Sequence, residues 1–170
     1  MTRGPFEGGA ESAALRSALG RFATGVTLAT CCDADGAPVG LTVNSFGALS
    51  LEPPLVLWSL RCESPSLKAF QAAEHFAINV LTEAQVELSR RFASASASTK
   101  RFELGRWHPG QQGCPVLVGA LAVFECVRRT ADRHGDHVLI IGEVLHHSAP
   151  HAGAPLLFHA SRYRRMGDAL

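Results

Sequence analysis

The residues with the most chemical potential sit together in Gly40–Pro54, read as GLTVNSFGALSLEPP. Thr42, Asn44, Ser45 and Ser50 put three hydroxyls and an amide into nine residues with no charge among them. Short polar side chains let backbone N–H groups approach a ligand, so such a stretch can cradle a phosphate without a helix or a lysine. The same composition also suits a loop whose hydroxyls satisfy their own backbone. A second group, Gly135-Asp136-His137, delivers an imidazole from a charged turn to the mouth of an apolar run. A hairpin turn with an exposed histidine is the plainer reading of it.

Other chemistries find little footing. Eight histidines invite a metal, yet His146 and His147 are adjacent, and on a strand they point to opposite faces. No HExxH or finger-spaced Cys/His quartet occurs, so no metal site is expected. There is no GxSxG elbow, no GxGxxG and no Walker motif. Five cysteines without a CxxC pair suit buried small hydrophobes in a reduced, cytoplasmic protein. A net charge of +1 recruits neither nucleic acid nor an anionic membrane. No run reaches the ~18 apolar residues of a membrane span.

The elements that must position these groups are mostly strands. Val26–Cys32 and Val39–Phe46 flank an Asp33–Gly36 hairpin turn. Leu55–Leu60 reads as a strand buried on both faces, followed by Phe76–Leu81, by Leu117–Arg128 with a kink at Gly119, and by His137–His146. Thr130–Asp136 reads as a charged turn, Leu156–His159 as a last strand and Arg162–Arg165 as a basic tail. Helices are expected over Glu11–Phe22, from Ser64-Pro65, and from the capping box Thr82–Gln85 to about Phe92. Residues 1–10 read as a disordered tail, Ala93–Thr99 as a mobile loop, 11–166 as one domain and 167–170 as a C-terminal tail. Hairpins with inserted helices exclude a doubly wound parallel sheet; the fold class is mainly β, an antiparallel barrel decorated with helices.

The ordered blocks Phe22–Thr27, Gly40–Phe46, Ser50–Leu55, Phe76–Leu81, Arg91–Ala93, Gly113–Pro115, Leu121–Cys126 and Gly135–His137 resemble the flavin reductase-like domain. That family comprises the small reductases of two-component flavin monooxygenases, built on an antiparallel FMN-binding split β-barrel. The resemblance covers roughly residues 12–165. It implies an NAD(P)H:flavin oxidoreductase that moves a hydride from NADH or NADPH to FMN or FAD. It also implies a homodimer that supplies reduced flavin to a partner monooxygenase.

Carried over residue by residue, Thr42, Asn44 and Ser45 correspond to the family's T-x-N-S-F along the flavin. Ser59, Leu60, Ser64 and Ser66 match positions that finish the phosphate pocket. Thr24 and Gly25 would lie near the ring system, and His137 on the nicotinamide side as the catalytic candidate. Lys100 and Arg101 are candidates for the dinucleotide phosphates, a solvated basic pair being the alternative. Two departures stand out: Val43 where the family has Ala, and Gly47-Ala48-Leu49 where it has Thr-Ser-Val. A non-catalytic flavin-binding or electron-transfer module on the same barrel is the alternative function.

Overall fold

The computed structural model describes residues 9–94, 100–150 and 152–169. Most of the expected tail and mobile loop, residues 1–8 and 95–99, lie outside them.

Seven antiparallel strands form the main sheet: β2 (Thr27–Cys32), β3 (Pro38–Val43), β4 (Gly47–Leu51), β5 (Pro54–Arg61), β6 (His75–Val80), β9 (Ala122–His134) and β10 (His137–Ser148). Their order across the sheet is β3-β2-β6-β9-β10-β5-β4. Consecutive strands β3 and β4 are therefore opposite edges, yet only residues 44–46 join them. Four backbone steps reach about 14 Å, whereas seven flat strands would be about 29 Å wide. The sheet must curl until the end of β3 and the start of β4 come within that reach, and the polar stretch is the seam between them. Small sheets complete the fold: β1 (Thr24–Gly25) with β11 (Leu157–His159) and β12 (Arg162–Arg164), and β7 (Trp107–Pro109) with β8 (Pro115–Leu117).

The period-2 pattern of β2 and β6 divides the core in two. Leu28 and Ala77 join a cluster with Leu88 and Phe92; Ala29 and Ile78 join one with Trp58, Phe76 and Ile140. Between the strands, the buried Asn79 amide donates to Leu28 O and Thr30 Oγ1, and its oxygen accepts from Leu117 N–H at 2.8 Å. This leaves no part of a buried amide unpaired.

Several sequence expectations are corrected. Helix α1 spans Gly9–Leu19, so the tail's last two residues are helical and Phe22 lies past the helix end, 78% exposed. Helix α2 (Leu67–Ala72) starts two residues beyond Pro65; Ser66 is its N-cap, while Ser64 accepts from Ser66 N–H in the preceding turn. Strand β5 is fully buried only at Val56, Trp58 and Leu60, because its other face meets the seam. Leu117–Arg128 is broken at Gly119 (φ +83°) into β8 and β9 rather than kinked. The charged residues 130–134 belong to β9, where cross-strand pairing with β10 outweighs their polarity, and Gly135-Asp136 alone form the turn. Arg162–Arg164 is a strand because it pairs with β11. The Thr82–Gln85 capping box is formed and opens a 3₁₀ turn leading into α3 (Val86–Ala93).

Candidate functional site

The seam opens into a cleft of about 470 Å³. Its walls bring together Thr42, Asn44, Ser45, Ser59, Leu60, Ser64 and His137, seven of the residues singled out from the sequence. Each is held by its own element.

β3 contributes Thr42, whose hydroxyl donates to Ser89 O on α3 at 2.6 Å. The strand's end is fixed by Thr27 Oγ1, which donates to Val43 O at 3.0 Å. In the turn, Ser45 Oγ accepts from Ser59 N–H at 2.9 Å and donates to Ser59 O at 3.2 Å. One hydroxyl thus clasps the β3–β4 crossing to β5 and stands in for a missing ladder partner. Asn44 is exposed, and its amide has no partner among the described residues.

The opposite lip comes from the end of β5 and the start of β10. His137 pairs with Arg61 across these strands and with His134 across the hairpin. Cys62 N–H donates to Asp136 O at 2.8 Å, which ties the Gly135-Asp136 turn to the cleft. His137 Nδ1 lies 2.8 Å from Asp136 Oδ1, and the imidazole is 40% exposed. The hydrogen bond from His137, with its charge, holds the exposed Asp136 carboxyl below the ordinary value. Placing the proton on Nδ1 leaves the second ring nitrogen without a partner among the described residues.

The cleft also contains Val43, noted from the sequence only as a departure from the family pattern, and three residues the sequence reading passed over: Leu41, Arg61 and Glu63. Arg61 and Glu63 form an exposed ion pair at 3.1 Å, so the cradle is not free of charge. Period-2 geometry carried the signal, since Arg61 follows Ser59 by two residues on one strand and shares its face.

Other expected residues are elsewhere. Thr24 and Gly25 pair with Phe158 and Leu157. They lie beside a smaller cavity of about 180 Å³ that shares Thr42 and Asn44 with the cleft and adds Phe158 and Tyr163. The Thr24 hydroxyl is buried without a partner among the described residues. Ser66 is buried and, with Arg101, lines a neighbouring cavity. The Arg101 guanidinium donates to Gly40 O at 2.9 Å and Ser94 O at 2.7 Å, so Lys100 and Arg101 are not a solvated pair: Lys100 alone is exposed.

The donor set suits a flavin. The volume falls within the range of small-molecule sites, the Asn44 amide and Arg61 guanidinium face the cleft, and small residues keep the seam backbone accessible. Away from the cleft, in the core, burial pushes the Cys114 and Cys126 thiols up to about 12, which leaves them inert as nucleophiles.

Comparison with known proteins places the chain in a family. Residues 19–167 match the sequence model of the flavin reductase like domain. The chain is 46% identical to the FMN reductase (NADH) SmoA of Agrobacterium fabrum, over 93% of this chain and 88% of that protein. It is 41% identical to the reductase subunit HsaB of a Mycobacterium tuberculosis flavin-dependent monooxygenase, over 87% and 79%. Two Rhizobium meliloti relatives are longer, and the chain spans 42% and 56% of them. A Streptomyces globisporus C-1027 NADH:FAD oxidoreductase, solved with NAD and FAD fragments, superposes with a TM-score of 0.87 at 33% identity, covering 98% of this chain and 97% of that one.

Proposed function

The chain belongs to the flavin reductase like domain family, and from that premise we propose that it is an NAD(P)H:flavin oxidoreductase. It takes a hydride from NADH or NADPH to FMN or FAD and hands the reduced flavin to a partner monooxygenase. The observation that carries this reading is the convergence of Thr42, Asn44, Ser45, Ser59, Leu60, Ser64 and His137 on one cleft at the seam.

Flavin and nicotinamide supply the hydride chemistry, which needs no general base from the protein. What the chain must do is bind and orient. Asn44, the seam backbone and Ser64 are assigned to the flavin tail, with Arg61 as the cation for its phosphate. Thr42, Ser45 and Ser59 hold the wall in shape. His137, steadied by Asp136, is assigned to the open side, where it orients the nicotinamide or passes a proton at its unpaired nitrogen. Thr24 and Gly25 back the annex beside Phe158, and Lys100 stays a candidate for dinucleotide phosphates.

The curled sheet is read as the FMN-binding split barrel, with residues 11–166 as its single domain. A homodimer is assigned as well, as the family resemblance implies. The reading places the protein in the cytoplasm, and among the described residues no helix is long and apolar enough to cross a membrane.

The test is steady-state oxidation of NADH and NADPH with FMN, FAD or riboflavin as acceptor, followed by nicotinamide absorbance. Flavin-dependent loss of that absorbance is expected. A protein that binds flavin yet leaves both nicotinamides untouched would be the electron-transfer module instead.

A further inference from the structure

Among the described residues lining the cleft, Arg61 is the one lysine or arginine, and the His137 imidazole stands across from it on β10. Lys68 and Arg101 line the adjoining cavity instead. A phosphate entering the cleft therefore has a single permanent cation to meet, and that cation is already engaged.

The local backbone explains how. β5 ends in a turn closed by the hydrogen bond from Ser64 N–H to Arg61 O at 3.0 Å. Arg61 is the first residue of this turn and Glu63 the third, so both side chains leave the same short piece of chain. Their charged ends meet at 3.1 Å, and Glu63 lines the cleft as Arg61 does. Between them, Cys62 donates its N–H to Asp136 O at 2.8 Å, which fastens the Gly135-Asp136 turn to this one. Asp136 is thereby kept within range of Arg61. Its carboxyl sits below the ordinary value, first through the hydrogen bond and charge of His137 and also through the Arg61 charge. One cation is shared by two carboxylates before any ligand arrives.

A phosphomonoester such as that of FMN carries a charge of about −1.5 to −2 at pH 7. To reach Arg61 it must displace Glu63 or share the guanidinium with it, and either way it approaches negative charge. The fold gains little from the pair, whose side chains are 65% and 84% exposed for Arg61 and Glu63; ion pairs so exposed hardly stabilise a protein. An acid at the mouth of an anion site that weakens the ligand without steadying the chain has its effect on binding.

We propose that Glu63 is a specificity-determining residue, a resident counter-charge that competes with the flavin phosphate for Arg61 and so sets how long a phosphorylated flavin stays. The assignment rests on the flavin reductase reading and deepens it, from where the flavin is held to how it is let go. It also makes the cleft a poor discriminator between FMN and riboflavin, which lacks the phosphate.

The experiment uses the full chain with FMN and riboflavin as probes, their Kd values read from flavin fluorescence quenching at low ionic strength. Glu63→Gln should tighten FMN about fourfold and Glu63→Lys about tenfold, with riboflavin unchanged in both. FMN dissociation, followed by stopped-flow displacement, should slow by the same factors. The gains should shrink at high salt, where exposed charges are screened. On an Arg61→Gln background the Glu63→Gln gain should fall below about twofold, since the contested cation is gone. The proposal is overturned if both flavins change by one factor, if FMN affinity ignores the substitutions, or if the gain persists in full without Arg61. A wild type that binds neither flavin overturns the proposal and the reductase reading together. One that binds FMN but cannot reduce it with NADH or NADPH would sink the reductase reading alone, because the titrations need no turnover.

Discussion

The framework and the rim of the cleft spend their polar atoms differently. On the seam wall, Thr42 and Ser45 give their hydroxyl protons to Ser89 O and Ser59 O, and Ser45 also takes up Ser59 N–H. On the rim, Asn44 and one nitrogen of His137 have no partner among the described residues, and Arg61 pairs with the exposed Glu63 and helps hold the Asp136 carboxyl below its ordinary value. A hydroxyl-rich stretch is thus part framework and part ligand surface. The framework hydroxyls tie β3 to α3 and the β3–β4 turn to β5; the rim groups are left for binding and orientation.

Substitutions that separate these roles put the contrast at risk. Ser45→Ala should have the largest effect, since it strands Ser59 N–H at the seam and removes the clasp; a loss of about 2–3 kcal/mol is expected. Urea denaturation should show a lower midpoint, with flavin weakened as a consequence. An unchanged midpoint with flavin binding abolished would move Ser45 into the rim class.

His137→Ala should come next, with a fall of about tenfold in kcat, or ~1.4 kcal/mol in the barrier, and little change in flavin affinity or urea midpoint. If turnover stayed normal while flavin binding vanished, His137 would belong to the flavin cradle.

Asn44→Ala should be the mildest, raising the flavin Kd about fivefold for one lost hydrogen bond near 1 kcal/mol at constant stability. A drop in stability as large as that of Ser45→Ala would erase the distinction between framework and rim.

Much of the fold was legible because local rules and tertiary packing agreed. The Asp33–Gly36 turn needed its positive-φ glycine (φ +78°) and its Asp33 cap. The Thr82–Gln85 box needed only side chains three residues apart. Where these rules misled, a distant partner overrode them. The polar end of β9 and the basic Arg162–Arg164 are strands because β10 and β11 lie alongside, and neither neighbour is visible from the local sequence. From the sequence Arg101 reads either as a candidate for dinucleotide phosphates or as a solvated cation beside Lys100, but Gly40 O and Ser94 O draw it inside. Gly40 itself has to be glycine, since a Cβ there would come within 2.8 Å of the buried Phe92 ring.

By itself the sequence determined which residue types are present and in what order: the T-x-N-S-F block, the serines after β5 and the histidine after Gly-Asp. Alternation and capping then fixed most strands and one helix start. Only the tertiary structure decided where the curled sheet has its seam, which of the clustered hydroxyls are already occupied, and that Arg61 joins the cleft while Arg101 lines its neighbour. The physical reason is that hydrogen-bond satisfaction and burial are set by groups far apart in the chain, here Ser45 with Ser59, Thr42 with Ser89 and Arg101 with Gly40.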